Sequence, residues 1–372
     1  MNKKVLVLGS YGNFGERISF SLAKTGINVI LAGRSKEKVS ELKEKIKLIS
    51  PNSKIESASF DVTCELDLLA KLKPFVVINT CGPFQSSDYL IAKACIKYKI
   101  HYIDLSDCRD FVNNIHTLDK DAKDSGVLIV SGASTVPGLS SAVLEKYKEE
   151  FSKIESLIFG ITIGGKIKRG LATTRSILSY AGKLLKPYPG CTKCYGWQDT
   201  YRQDYPELGK RWMASCNVPD LDLLPKYYGI QKIRFSAGME SSILHLGIWF
   251  ISWLVRLKIF NKLDRYAKHL LYMSNWFDWL GTQNSGMHML INGKDAIGNQ
   301  KEIQWFIVAK EGHGPQVPCV PAILLAKKLI DGSMKKKGAT PCIGLIMLEE
   351  YIQELQEFQI KQYIISKMEC KI

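Results

Sequence analysis

At 372 residues the chain exceeds the ~100–200 residues of a usual single core, so two lobes around one cleft are expected. Apolar and charged fractions of 46% and 23% are those of ordinary globular proteins, which excludes a disordered or fibrous chain. The net charge of +15 points to an anionic partner: a phosphorylated cofactor, an acidic small-molecule substrate or an anionic membrane surface. Nucleic acid is not expected, because the basic residues are scattered rather than grouped with aromatic stacking platforms.

Lys3-Lys4 followed by Val5–Leu8 starts like a signal peptide, but the apolar run stops after four residues at a glycine-rich loop. It reads as a first strand of a cytoplasmic protein. Short β-branched runs then alternate with amphipathic stretches, the pattern of a parallel sheet covered on both faces. Strands are predicted at Lys4–Leu8, Asn28–Ala32, Lys54–Phe60, Phe75–Asn79, His101–Ile103 and Val127–Ser131. Helices are predicted at Phe14–Lys24, Lys36–Leu48, Cys64–Leu72, Ser87–Tyr98, Thr117–Ser125 and Gly138–Glu150. Six strands in this order suit a doubly wound Rossmann-type sheet over residues 1–150.

Between the first strand and first helix stands Gly9-Ser10-Tyr11-Gly12-Asn13-Phe14-Gly15, where missing Cβ atoms admit a pyrophosphate to the positive helix end. The spacing is G-x-x-G-x-x-G rather than the commoner G-x-G-x-x-G. At the end of the second strand, Gly33 occupies the place of the acid that would bind a ribose 2′-hydroxyl and is expected to leave room for a 2′-phosphate. Arg34 can stack on adenine and, with Ser35 and Lys36, grip a 2′-phosphate, so NADP(H) is expected over NAD(H). Asp61-Val62, after the third strand, is placed to meet the adenine edge, or Asp61 simply caps the next helix.

In a doubly wound sheet the ligand lies beyond the carboxyl ends of the strands. The loop Thr80-Cys81-Gly82-Pro83 is therefore expected at the nicotinamide ribose. Asp104 and Asp107, in the loop after the fifth strand, are candidates for handling the proton that accompanies hydride transfer. The alternative is that Asp104 braces its loop through backbone N–H groups.

With these segments in place, the first lobe resembles the NADP-binding domain of the saccharopine dehydrogenase superfamily. The residues that carry the likeness are the glycine loop, Ala32–Ser35, Asn79–Phe84 and Tyr102–Asp107. Further on, Gly170–Arg175, Gly286-Met287-His288, Gly314–Pro318 and Gly338–Cys342 are similar to segments of bacterial saccharopine dehydrogenase-like oxidoreductases. The resemblance implies an NADP cofactor, a homo-oligomer and an oxidoreductase of unassigned substrate. One departure stands out: the family's Asp-Pro-Gly turn after the sixth strand is Val136-Pro137-Gly138 here, which argues against literal saccharopine chemistry.

Residues 151–315 read as a second, α+β lobe with a mixed or antiparallel sheet for substrate and dimerisation. Its strands are predicted at about Ile154–Gly164, Lys232–Gly238, Gly286–Asn292 and Lys301–Lys310, with irregular chain from Lys186 to Tyr228. His288 and His313 are rival proton donors, since His titrates near neutrality. Residues 316–372 are expected to supply helices, Ala322–Leu329 and Leu345–Leu355, that return to the first lobe.

Ile243–Phe260 is the most apolar stretch and runs into a Trp-rich segment ending at Leu280. It is too short and too interrupted for a membrane span. With Arg256, Lys258, Lys262, Arg265 and Lys268 it suits a helix lying in a membrane interface, or else one buried in a protein interface. Ten cysteines show no disulfide-framework spacing, Cys191 and Cys194 read as incidental thiols, and no metal site is expected.

Two functions emerge: NADP(H)-dependent hydride transfer to or from a carbonyl, imine or activated alkene, and non-catalytic NADP(H) binding at a membrane.

Overall fold

The computed structural model describes residues 3–82, 84–85, 88–167, 170–260, 263–276 and 278–369. They form two compact units, Met1–Val143 with Pro315–Glu354, and Leu144–Gly314 with Leu355–Ile372.

The first unit is built on β1 (Lys4–Leu8), β2 (Asn28–Gly33), β3 (Ile55–Ser59), β4 (Val76–Asn79), β5 (His101–Asp104) and β6 (Leu128–Ser131). A strand absent from the sequence expectation, Gly338–Pro341, pairs with β6 and extends the parallel sheet to seven. The spatial order is Gly338–Pro341, β6, β5, β4, β1, β2, β3. β4, β5 and β6 are buried throughout, as strands covered on two faces must be; β4 and β6 are accordingly apolar but for their last residues, while in β5 the buried His101 and Asp104 are hydrogen-bonded, to the Leu128 amide and the Ser131 hydroxyl. β3 at the edge alternates instead, exposing Glu56, Ser57 and Ser59.

Helix α1 (Asn13–Lys24) buries Gly15, Ile18, Ser19, Leu22 and Ala23, one face at helical spacing. Helix α2 (Lys36–Ile49) begins at Ser35, whose hydroxyl accepts from the Lys38 amide at 3.3 Å and so caps it. The C-terminal helices run Val320–Asp331 and Leu348–Glu354, tied by Lys327–Glu354 and Lys328–Glu350 ion pairs of 2.6 Å.

The second unit holds β7 (Lys153–Ile163), β8 (Tyr201–Tyr205), β9 (Gly209–Ser215), β10 (Lys232–Met239), β11 (Ser285–Lys294) and β12 (Gln300–Ala309). The sheet order is Ile360–Glu369, β12, β11, β7, β10, β9, β8, antiparallel except for β10 against β7. Three differences from the sequence expectation appear here. The stretch expected to be irregular contains the β8–β9 hairpin and a helix, Asp220–Tyr228. The chain end expected to be helical finishes as the Ile360–Glu369 strand on β12. Cys191 and Cys194, expected as separate thiols, are joined in a disulfide just after a tight turn in which Tyr188 and Cys191 exchange backbone hydrogen bonds.

Candidate functional site

The glycine loop meets the sheet where backbone and helix must nearly touch. Gly9 has φ +75°, and a Cβ there would lie 2.7 Å from Thr80 Oγ1. A Cβ on Gly15 would lie 2.2 Å from the Gly9 carbonyl, so only glycine lets α1 start this close to the loop. Gly12 is the N-cap residue, and no side chain caps α1. The first-turn amides of Asn13, Phe14 and Gly15 therefore stand at the positive end of a twelve-residue helix without a side-chain acceptor. Ser10 is fully buried and its hydroxyl has no hydrogen-bond partner. A cradle that any Cβ would fill, uncapped amides and an orphaned hydroxyl together fit a dinucleotide pyrophosphate.

Beyond the loop, the Tyr11 ring lies over Gly33, where a Cβ would come within 2.3 Å of Tyr11 Cε1. The sequence had suggested that Gly33 leaves room for a phosphate; in the fold that space is filled by Tyr11. The Tyr11 hydroxyl accepts from the Ser35 amide at 3.4 Å, and Lys38 Nζ stands 5.7 Å from the ring centroid. Arg34 is exposed, and its guanidinium makes no hydrogen bond or ion pair with a described residue. Its backbone carbonyl accepts from Ser59 Oγ at 3.1 Å, which fixes the chain and leaves the side chain to reach outward.

Ser35 donates its hydroxyl to Glu37 at 2.8 Å, and the Glu37 backbone N–H first, this hydroxyl second, hold the Glu37 carboxyl below its ordinary range. Sequence reasoning passed over Glu37, because an acid in a first helical turn looks like ordinary helix chemistry. Asp61 accepts from the Thr63 hydroxyl at 2.7 Å and the Thr63 amide at 3.0 Å in a local turn, and it does not cap the next helix, Asp67–Leu72, whose N-cap residue is Leu66. These bonds hold its pKa down. The Val62 side chain packs in the core, so only its backbone is available to a ligand.

Thr80 donates to the Leu8 carbonyl at 2.8 Å, and the Cys81 amide donates to Asn79 Oδ1 at 3.0 Å. This pins the loop after β4 beside the glycine loop. Gly82 is exposed, and Pro83 lies outside the described residues. Cys81 is exposed by surface area, yet protein packed around its thiol pushes it up to about 11, with Arg34 opposing and Asp61 adding to the rise. It is a neutral thiol rather than a nucleophile.

Asp104 is fully buried at the end of β5. Its Oδ1 accepts from the Ser106 amide (2.9 Å), the Ser131 hydroxyl (2.9 Å) and the Gly132 amide (3.0 Å), stitching the loops after β5 and β6 together. Burial raises it to about 6. Asp107 is half-buried, with Gln85 donating to it at 3.4 Å, and burial raises its pKa also.

The two histidines belong to the second unit. His288 on β11 is fully buried between the hydroxyls of Tyr205 (2.7 Å) and Tyr201 (3.3 Å), and burial pushes it down to about 3. Near-neutral titration, the reason for choosing it from sequence, therefore does not hold. His313 is half-buried, packs against the Phe358 ring at a tilt of 59° and accepts from the Gln359 amide at 3.0 Å. Among the described residues no cluster of His, Cys, Asp or Glu could hold a metal.

Comparison with known proteins bears on the first unit. Residues 5–130 match the family model described as the saccharopine dehydrogenase NADP binding domain. A comparison with curated proteins gives no match. Among solved structures, the chain is similar to YwfH, an NADPH-dependent reductase involved in bacilysin biosynthesis (10% identity, 35% of this chain and 76% of that one, TM-score 0.30). It is also similar to E. coli MccB (20% identity, 29% and 36%, TM-score 0.25), so it spans about a third of that protein's length. A third likeness is to a metagenomic short-chain oxidoreductase in complex with NADP (18% identity, 35% and 80%, TM-score 0.27). Over residues 5–130 the chain thus carries a domain of the saccharopine dehydrogenase NADP-binding type, and its cofactor is NADP.

Proposed function

We propose that the protein is an NADP(H)-dependent oxidoreductase that moves hydride to or from a carbonyl, imine or activated alkene of a small-molecule substrate. The observation that carries this reading is the end of β2. No acid stands there to bind a 2′-hydroxyl or repel a 2′-phosphate, and Arg34 extends an exposed guanidinium with no described partner. When bound, the cofactor supplies or accepts the hydride.

The chain's own residues hold and orient it. Gly9, Gly12, Gly15 and the first amides of α1 receive the pyrophosphate, Arg34 and Ser35 the 2′-phosphate, and the Thr80–Gly82 backbone the nicotinamide ribose. Tyr11, braced on Gly33, supplies a flat wall at the adenosine end. Of the two aspartates after β5, Asp107 is the one open to solvent, and its raised pKa brings it nearer to neutral pH, where a general acid works best. Asp104 touches no solvent and acts as a positioning residue through Ser106 and Gly132.

The test begins with titration of the pure protein by NADPH and NADH. Cell extract incubated with the protein and NADPH, then profiled for metabolites, should show one carbonyl, imine or alkene compound consumed together with NADPH. Tight NADPH binding without consumption in any extract fraction would sink the catalytic reading and leave a cofactor-binding protein.

A further inference from the structure

The Ser242–Arg256 helix is amphipathic in the reverse of the usual sense. Its buried side is polar: His245 and Ser252 are fully buried, Trp197 Nε1 donates to the His245 carbonyl at 3.3 Å, and Gln198 Nε2 donates to Ser252 Oγ at 3.4 Å. Gly182 approaches the same face so closely that a Cβ on it would lie 2.1 Å from the Ser252 carbonyl. Arg256 donates to Gln198 Oε1 at 2.7 Å and closes the end. These contacts fix the helix's rotation.

The opposite face is apolar and open. Ile243, Leu246, Phe250, Trp253 and Leu257 recur at steps of three and four residues and are 61, 37, 59, 36 and 63% exposed. Later in the sequence Ile259, Phe260, Tyr272, Trp276 and Trp279 are exposed as well. A chain that hides histidine and serine while showing phenylalanine and tryptophan has its apolar medium outside.

Charge identifies that medium. From Ser241 to Leu280 the sequence carries five basic residues, Arg256, Lys258, Lys262, Arg265 and Lys268, against two acidic ones, Asp264 and Asp278. Of these, Lys258, Arg265 and Lys268 are exposed, and Lys262 lies outside the described residues. A second copy meeting this face across a two-fold axis would bring the same positive excess against itself. Among the described residues no helix is long and apolar enough to cross a membrane, so the face can lie on a bilayer but not span it. We propose that the exposed face of the Ser242–Arg256 helix docks the protein on anionic lipid bilayers, with Phe250, Trp253 and Leu257 entering the headgroup region and Lys258, Arg265 and Lys268 pairing with lipid phosphate and carboxylate.

The test is flotation with vesicles of phosphatidylcholine containing roughly 30% phosphatidylserine, against pure phosphatidylcholine, at about 0.05 M and 0.5 M salt. Wild-type protein floats with the anionic vesicles at low salt, and the bound fraction drops about tenfold without phosphatidylserine or at high salt. The exposed-site variant Phe250→Glu/Leu257→Glu and the charge-only variant Lys258→Glu/Lys268→Glu each lose at least about tenfold while melting near the wild-type temperature. Should one variant misfold, the other carries the test. Wild-type protein left unbound at low salt overturns the proposal, as does flotation of both variants to the same extent as wild type. So does a wild-type dimer by light scattering that Phe250→Glu/Leu257→Glu converts to monomer, since a second copy would then cover the face.

Discussion

Arg34→Ala isolates the charged member of the pair, Arg34 and Ser35, proposed to hold the 2′-phosphate that separates the two nicotinamide cofactors. The guanidinium is exposed and has no described partner, so its removal leaves no buried group unsatisfied and should not move the melting temperature. A 2′-phosphate would give it a charge-assisted pair, worth ~1.5–3 kcal/mol in general, and an exposed site belongs at the lower end of that range. About 1.4 kcal/mol is a factor of ten in affinity. NADPH should therefore bind wild type about tenfold or more tightly than NADH, and Arg34→Ala should weaken NADPH about tenfold while NADH stays within about twofold. Titration calorimetry of both proteins with both cofactors reads all four constants. Equal affinities in wild type, or an equal loss of both cofactors in the variant, would refute the assignment of Arg34 to the 2′-phosphate.

Neighbouring residues give further expectations. Gly33→Ala puts a methyl 2.3 Å from Tyr11 Cε1, so it should cost ~1–3 kcal/mol and weaken both cofactors; Tyr11→Ala on that background should restore stability, and additive losses in melting would contradict the contact. Glu37 draws the Ser35 hydroxyl away from an incoming phosphate, so Glu37→Gln should tighten NADPH about threefold and leave NADH unchanged; weaker NADPH binding would place Glu37 elsewhere. Once a turnover assay exists, Asp107→Asn should slow it about a hundredfold with NADPH affinity within a few-fold, and near-normal turnover would remove Asp107 from proton handling. Burial raises Asp104 from 3.8 to about 6, so the folded protein holds that proton more tightly than the unfolded chain and stability falls as pH rises from about 4 through about 6. Asp104→Asn keeps an acceptor for Ser106, Ser131 and Gly132 and should abolish that fall, a gain of about 2–3 kcal/mol above pH 6 in urea melts; an unchanged pH slope would show that Asp104 is not the titrating group.

What the sequence discloses here depends on whether a residue's role is settled by its near neighbours in the chain. β1, β2, β4 and β6 are legible because a strand buried on two faces is an apolar run, and the glycine loop because close approach at a helix start excludes a Cβ. The Gly338–Pro341 strand offers four residues with glycine and proline at its ends, a turn signal by any local rule, and becomes a strand only because β6 presents a free edge. β8, Tyr-Arg-Gln-Asp-Tyr, is polar enough to pass for a loop; pairing with β9 and burial of Tyr205 against His288 make it a strand. The same distinction divides the candidate site. Arg34 was identifiable because its meaning lies in what is missing one residue earlier. The Tyr11–Gly33 contact joins residues twenty-two positions apart, and it reverses the meaning of Gly33 from open space to a seat for a ring. Asp104 and Asp107 are alike in sequence, three residues apart in one loop. Only the fold separates them, because β6 runs beside β5 and closes over the first while leaving the second at the surface. A sequence can thus nominate both acids for one cleft, but deciding which of them meets substrate requires knowing which strand lies alongside.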